Sequence, residues 1–587
     1  MVLNKHLINN PTTLVIEALQ GLAYQNPTLS LDIKNKVVYR SNINKDQVAL
    51  ICGGGSGHEP SHAGFVGEGI LTAAVCGNVF ASPNASQVTR AIELVDGDQG
   101  NYTGDILNFG LAKEMYAAAH PEKSKKVKFL VVGDDVSVGR TQGGIVGRRG
   151  LAGTVLVYKI AGALSARNAN IDRVYNVAAW VAERLGTVGI GLEHCHIPGT
   201  LPAQSHLSSD EIELGMGIHN EPGYAQVSPV PKLSDLVNDL LTLVISTSDP
   251  ERSFLPFGSG SGQDEVVLMV NNLGGVSELE LSGITREVIL QLDAKKIKVK
   301  RVLVGAYMTS LNMPGFSLTL LLLPRNGEKA PASTEELLAL LDDKTHAPGW
   351  KWSSGSPPGT INTAPEEQQT TSSNFTSTGR KIAAADPAGF VKAIKRAATA
   401  IIQSEPELTH LDSIAGDGDA GLTHKSGAER VLSIANSGSL DGKDVINSIA
   451  QIAKAASDAM DGTSGALYSI FFSSLVQSLH QSTEGKPELT LDIWTESLSG
   501  ALDQLYTYTR ARHPSRTLID PIAVFVEALQ SGNSLSDAVA KASTAADETK
   551  NLEARAGRAA YVGKDKVKGV ADPGAIGVKV ILQALIA

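Results

Sequence analysis

Short apolar runs alternate with amphipathic segments from the N-terminus to about residue 345. Residues 48–52, Val-Ala-Leu-Ile-Cys, read as a buried strand and run straight into Gly53-Gly54-Gly55-Ser56-Gly57. Residues 71–76, 129–132, 265–270, 302–306 and 316–323 carry the same signature. Between them apolar residues recur at helical spacing, as over 174–184 and 233–245. Such alternation predicts an α/β domain, or two α/β lobes in one unit.

The pattern changes near residue 346. Residues 346–379 are rich in Pro, Gly, Ser and Thr and have no period, which predicts a linker, flexible in part. From 380 to 587 the period is helical: Phe390, Ile394, Ala397 and Ile401, then Ile446, Ile449, Ala453 and Ala456, then Ile493, Ser497, Ala501 and Leu505. Strand signals almost vanish. The expectation is an all-α domain of about eight helices. Two domains, 1–345 and 380–587, suit a chain of 587 residues, too long for one core.

Charge and composition narrow the function. A formal net charge of -10 disfavours non-specific nucleic-acid or anionic-membrane binding, and 5% aromatic content disfavours a base-stacking platform. Three dispersed cysteines, Cys52, Cys76 and Cys195, read as reduced thiols. The first residues lack the apolar core of a signal peptide, and no window is long enough to span a bilayer. A soluble cytoplasmic protein is the default expectation, and the charge balance does not predict its substrate.

Candidate chemistry sits where glycine interrupts these periods. In Gly215-Met216-Gly217-Ile218-His219-Asn220-Glu221-Pro222-Gly223, glycines and a Pro-Gly turn present one imidazole, His219. In Gly53-Gly54-Gly55-Ser56-Gly57-His58-Glu59-Pro60 the glycines are too compressed for a dinucleotide fingerprint. A loop whose N–H groups hold a small oxygen-rich ligand, with His58 as acid or base, fits better. Ser82 follows another candidate strand, and Asp105 precedes a helix over 106–119, where it caps the helix or serves the site. Arg148 and Arg149 read most simply as surface charge.

In the helical half, Asp412, Asp417 and Asp419 stand on a glycine-punctuated turn. Crowded carboxylates repel unless a cation sits among them, and Mg²⁺ accepts such ligands; the alternative is solvated loop acids with helix-capping roles. An EF-hand fails, since Gly421 and Ala428 stand at two of its ligand positions. Asp461-Gly462-Thr463-Ser464-Gly465 opens a helix as a phosphate loop would, or is an ordinary N-cap with Ser464. Asp572-Pro573-Gly574-Ala575 turns into the last helix, with Arg558 upstream. No Walker A sequence and no protein-kinase motif set occurs.

Taken together, GGGSGHEP, NYTGD, GMGIHNEPG, VNNLGG and TSLNMPGFS in the first half, with GDGDAG, GTSGALY and DPGA in the second, resemble the single-chain ATP-dependent dihydroxyacetone kinases. The resemblance covers nearly the whole chain outside the linker. It implies an α/β substrate domain of two lobes followed by a helical-barrel nucleotide domain. It implies that His219 holds the ketone as a hemiaminal, and that Gly55, Ser56, Gly57, His58 and Ser82 contact its hydroxyls. Asp105 is then base or orienter for the attacking hydroxyl, with His58 assisting. Mg²⁺ is expected on Asp412, Asp417 and Asp419. ATP is expected at Ala420, Gly421, Leu422, Thr423, Thr463, Ser464, Arg516, Asp572, Pro573 and Gly574. A homodimer is implied, and some members of the family also cyclise FAD to FMN.

The chain departs from the family pattern at three places. A short apolar strand, often ending in Lys, usually precedes NYTGD; here residues 92–100 run directly into Asn101, about half a dozen residues short. The expectation from such a loss is ladder partners left unpaired and Asp105 free to shift. Asp461 stands where glycine is usual, and His513-Pro514-Ser515 replaces a glycine-containing run before Arg516. These departures frame the alternative expectation, a non-catalytic carbonyl-binding or regulatory member of the family.

Overall fold

The structure, a computed structural model, describes residues 4–95, 101–103, 106–202, 204–258, 262–361, 381–486, 488–556, 559 and 567–587. The chain forms two compact units, Met1–Ile361 and Asn362–Ala587. Among the described residues no helix is long and apolar enough to cross a membrane.

The first unit holds two six-stranded sheets. In chain order the first sheet comprises β1 (Leu29–Asp32), β2 (Val37–Arg40), β3 (Ala49–Ser56), β4 (Ala73–Val79), β5 (Asn101–Thr103) and β6 (Lys128–Phe129). Their spatial order is β1-β2-β4-β3-β5-β6, with β4, β3, β5 and β6 parallel. The second sheet comprises β7 (Leu185–Gly191), β8 (Ile212–Leu214), β9 (Ala225–Val227), β10 (Glu265–Asn272), β11 (Lys298–Gly305) and β12 (Gly315–Leu322). It is ordered β11-β10-β12-β7-β8-β9 and is mostly antiparallel.

The helix Gly153–Ala166 is buried along almost its whole length and shares one apolar cluster with residues of both sheets, among them Leu50, Cys52, Met269 and Leu321. Its Gly162 lies against the backbone of Ile70, where a Cβ would overlap the chain, so glycine sets how closely this helix packs. Helices Leu233–Ile245 and Glu278–Ala294 cover the far face of the second sheet. Layers on both faces explain why β10 and β12 are buried without alternation.

Two expectations change here. The run 129–132 is not a strand of its own: β6 ends at Phe129 because the chain crosses to the second sheet. There the Thr187 N–H donates to the Asp134 carbonyl at 2.7 Å and the Val136 N–H to the Thr187 carbonyl at 2.9 Å. The slot of the short inner strand is filled by Asn101–Thr103, which pair with Ala49 and Leu50 of β3 and with Lys128 and Phe129 of β6. The sheet is continuous because these motif residues serve as its strand.

In the second unit eight α-helices are found among the described residues: Pro387–Ala415, Ala420–Asn436, Val445–Ala459, Gly462–Ser482, Leu491–Leu505, Ile519–Gln530, Leu535–Glu548 and Pro573–Ile586. Each packs on its neighbour in sequence, and the last packs back on the first, so the ring closes into a barrel. Its interior is an apolar cavity of about 450 Å³ lined by residues such as Phe390, Ile394, Phe471 and Val578. The helical period of the sequence is the inner face of this ring. The inter-helix turn that holds Asp417 and Asp419 lies between the first two helices.

Candidate functional site

Strand β3 delivers the first imidazole. After Ser56 the chain turns at Gly57, whose φ of +107° is a conformation that glycine adopts without strain. His58 follows and is 3% exposed. Its backbone and neighbours are stitched to the β11–β12 connection of the other sheet. The Leu311 N–H donates to the Gly57 carbonyl at 2.7 Å and the Thr309 N–H to the His58 carbonyl at 3.2 Å. Thr309 Oγ1 donates to the Glu59 carbonyl and Ser61 Oγ to the Tyr307 carbonyl, each at 2.8 Å. The buried Asn271 shapes that connection, accepting from the Tyr307 and Met308 N–H groups and donating to the Met308 carbonyl. This accounts for VNNLGG and TSLNMPGFS as parts of one site.

The second imidazole comes from the turn after β8. Gly215, at φ +75°, donates its N–H to the Gly189 carbonyl at 2.7 Å, and Asn220, at φ +63°, reverses the chain. The Asn220 side chain is tied to the Cys195 backbone at 3.0 and 2.9 Å, and Ser310 Oγ donates to the Ile218 carbonyl at 2.6 Å. His219 is thereby held with its Nε2 3.0 Å from His58 Nε2.

The protons of this pair follow from its outer partners. His58 Nδ1 lies 2.8 Å from the Thr309 carbonyl and His219 Nδ1 lies 2.9 Å from Glu221 Oε1. Both partners only accept, so both Nδ1 atoms carry hydrogen. A bond between the two Nε2 atoms then needs one shared proton. Burial and the neighbouring His219 bring the His58 pKa down to about 4. Phe80 closes the third side. Its ring stacks on His58 at 5.1 Å between centroids and meets His219 edge-on at 5.2 Å.

Arg149 is not surface charge. Its Nε donates to Asp135 Oδ2 at 2.6 Å, and its Nη2 donates to Ser137 Oγ at 3.0 Å and to the Gly215 carbonyl at 2.7 Å. The guanidinium therefore buckles the His219 loop to a carboxylate that is 1% exposed. Arg148 is half-buried, and its guanidinium lies 3.8 Å from the centroid of the Phe254 ring. Neither role is visible in the sequence, because Gly215 and Phe254 are remote in the chain from these arginines.

The other expected substrate contacts fall around the pair. Gly55 touches the backbone at Phe80 and Ala81, where a Cβ would overlap the chain. The Ser56 hydroxyl donates to the Gly77 carbonyl at 3.0 Å, and the Gly57 N–H to Glu59 Oε2 at 2.9 Å. Ser82 is exposed on the loop that carries Phe80. Asp105 lies outside the described residues.

In the second unit, one carboxylate oxygen from each of Asp412, Asp417 and Asp419 lies within 4.8 Å of the others. An octahedral cation with bonds of about 2.1 Å sets its ligands about 3–4 Å apart, so this donor set suits Mg²⁺. Asp412 is 8% exposed, and its Oδ2 accepts from the N–H groups of Gly418, Asp419 and Ala420 at 2.9–3.0 Å. It organises the turn as well as lying beside the other two carboxylates.

The residues expected at the nucleotide lie in the same unit. Ala420, Gly421, Leu422 and Thr423 form the first turn of a helix. Thr463 and Ser464 open another, whose N-cap position is Asp461 rather than Ser464. Asp572 caps the last helix through the Ala575 N–H at 2.8 Å, with Pro573 and Gly574 in its first turn. Burial raises the Asp572 pKa to about 6. Arg516 is fully buried at φ +61° and gives Nη2 to the Val570 carbonyl at 2.9 Å. Its Nε and Nη1 have no partner among the described residues, a fit to a phosphate oxygen. Arg558 lies outside the described residues.

Residues 20–349 match the Dak1 domain family, and residues 414–587 match the DAK2 domain family. The chain is 42% identical over 611 residues to the dihydroxyacetone kinase of Pichia angusta, covering 98% of this chain and 97% of that one. It is 35% identical over 604 residues to the human triokinase/FMN cyclase, covering 99% of each. The native crystal structure of the dihydroxyacetone kinase of C. freundii superposes with a TM-score of 0.62 at 30% identity, covering 99% of each chain. A second structure of that enzyme, in complex with AMP-PNP and Mg²⁺, gives 0.60 at the same identity and coverage.

Proposed function

Since the chain belongs to the dihydroxyacetone kinase family, we propose that it transfers phosphate from ATP to dihydroxyacetone, and also to D-glyceraldehyde, with the carbonyl compound held on His219. The observation that carries this reading is the imidazole pair itself: two Nε2 atoms 3.0 Å apart, each ring fixed at its far nitrogen.

Capture proceeds as an addition. The shared proton moves toward His58, which frees the His219 Nε2 lone pair. That nitrogen bonds to the carbonyl carbon, the C=O π electrons move to oxygen, and His58 passes the proton to it. The product is a hemiaminal with a neutral hydroxyl. A ketone or aldehyde is required, so glycerol is refused although its hydroxyls match. The triose hydroxyls are assigned to the loop of Gly55, Ser56, Gly57 and His58 and to Ser82. Asp105 is assigned to the hydroxyl that attacks phosphorus, with His58 assisting.

Asp412, Asp417 and Asp419 would hold Mg²⁺. The residues Ala420 to Thr423, Thr463, Ser464, Arg516 and Asp572 to Gly574 would hold ATP. The bound cation neutralises phosphate charge as the phosphoryl group transfers. A cytoplasmic homodimer is part of the same reading, and sedimentation of the full chain tests the dimer.

A coupled ADP-release assay with dihydroxyacetone, glyceraldehyde and glycerol tests the proposal, run beside His219→Ala. Turnover of the two carbonyl compounds, none of glycerol, and loss in the variant are expected. Activity with glycerol, or an unimpaired variant, would overturn covalent capture. A second reading is favoured by β5, where Asn101–Thr103 of the NYTGD motif serve as a sheet strand. Under it the chain binds carbonyl compounds without turnover, and the assay returns no ADP from a protein that still forms the adduct.

A further inference from the structure

We propose that Glu221 is the positioning residue that makes His219 able to capture a carbonyl: it holds the imidazole as the Nδ1–H tautomer and becomes counter-ion to the imidazolium that capture creates. This rests on the covalent reading above and assigns a role to a residue two positions along the same turn.

The geometry is a two-point clamp. Glu221 Oε2 accepts the backbone N–H of His219 at 2.9 Å, and Oε1 accepts from the ring Nδ1 at 2.9 Å. One carboxylate thus fixes both the main chain and the ring of the same residue. The clamp is possible because Asn220 takes φ +63°, which folds residue 221 back over residue 219. Room for it comes from Gly217, where a Cβ would overlap Glu221 Oε2 on one side and Arg149 Nη1 on the other. The Gly217 N–H closes the turn onto the Glu221 carbonyl at 2.9 Å.

An imidazole attacks only through the nitrogen that lacks hydrogen. With Nδ1–H committed to Glu221, the attacking atom is Nε2, the one that faces His58. Bonding of Nε2 to the carbonyl carbon leaves His219 as an imidazolium that keeps Nδ1–H. Charge balances: the proton that His58 passes to the carbonyl oxygen brings one positive charge, and that charge ends on His219. Glu221 is already ionised, since the side-chain and backbone hydrogen bonds from His219 outweigh burial and bring its pKa down to about 2. The carboxylate therefore faces the positive charge of the adduct without proton transfer.

Glu221→Gln keeps an acceptor but removes the charge. A hydrogen bond to a charged partner exceeds a neutral one by about a factor of ten in equilibrium. Capture is read by ¹³C NMR of dihydroxyacetone labelled at its carbonyl carbon, since the signal moves from the ketone to the tetrahedral region on bonding. The full chain should give the tetrahedral signal in wild type, with its fraction at sub-saturating ligand about tenfold lower in Glu221→Gln. Glu221→Asp, one methylene too short to reach both N–H groups, should fall between them. Both variants should melt as wild type, because the Glu221 side chain is 41% exposed. Imidazole ¹⁵N NMR of the unmodified protein should show His219 protonated at Nδ1. Equal capture in Glu221→Gln, or a His219 bearing hydrogen at Nε2 alone, would overturn the assignment. No tetrahedral signal in wild type would instead overturn covalent capture itself.

Discussion

Replacing Arg149 by Met leaves its alkyl stem in place and removes the guanidinium from a carboxylate that is 1% exposed. Asp135 then keeps the Ser137 N–H and hydroxyl as donors, at 2.8 and 2.6 Å, but loses its ion-pair partner and faces only the guanidinium of Arg148 beyond hydrogen-bond reach. Breaking a buried pair by removing one partner costs about 3–5 kcal/mol. The Arg149 side chain is 23% exposed, which places the cost near the lower end, about 3 kcal/mol. A unit of this length has an unfolding entropy of about 0.75 kcal/mol/K, so the melting temperature of the first unit should fall by about 4 °C. The Gly215 carbonyl also loses a charged donor worth about 1.5 kcal/mol, and capture on the His219 loop should weaken about tenfold. Calorimetry and dihydroxyacetone titration read the two effects separately. Asp135→Asn with Arg149→Met should be milder than the sum of the single variants by about 1–3 kcal/mol. Melting within about 1 °C of wild type together with unchanged capture, or strict additivity, would refute the buckle and restore Arg149 to the surface.

Two further outcomes concern pH and metal. The His58 and His62 pKa values are brought down by burial to about 4 and about 3, from 6.5 in the unfolded chain. The unfolded state therefore binds more protons below pH 6.5, and the first unit should lose stability as pH falls from 6.5 to 4, by about 3 kcal/mol for His58 alone. Denaturant titrations across that range should show the loss, with a shallower slope in His58→Asn; equal slopes would contradict it. In the second unit, Asp417→Ala should weaken Mg²⁺-dependent nucleotide binding with little change in melting, because Asp417 is exposed. Asp412→Ala should lower both, because three backbone N–H groups lose their shared acceptor. Calorimetric titration with Mg·AMP-PNP beside thermal melts separates the two variants, and equal melting in both would count against the role of Asp412 in the turn.

The sequence is most informative where backbone conformation and function coincide. Gly57 and the turn from Gly215 to Gly223 are legible as loops because their glycines answer local demands. The helical period from 380 onward is legible because each helix buries one face in the same ring. What was not legible depends on partners far apart in the chain. Arg149 finds Asp135 and Gly215 only after β7 and β8 are placed. Thr309 meets His58 across 251 positions. Glu221 sits inside a recognised motif, yet its reach back to His219 depends on the left-handed turn at Asn220. The run 129–132 is apolar enough for a strand but is spent on the crossing between sheets.

The seam of hydrogen bonds between the Gly57–Ser61 loop and the Tyr307–Leu311 loop bears on how the first unit comes apart. Neither lobe can open without parting the imidazole pair, because the same four residues that align the lobes also carry or abut His58. Partial unfolding of one lobe and loss of the imidazole pair are therefore a single event. The Leu311 amide, bonded to the Gly57 carbonyl at 2.7 Å, should exchange with solvent only as slowly as the whole unit unfolds. A bound triose that pins the pair would slow that exchange in proportion to its occupancy, making one main-chain hydrogen a reporter of ligand at a distance.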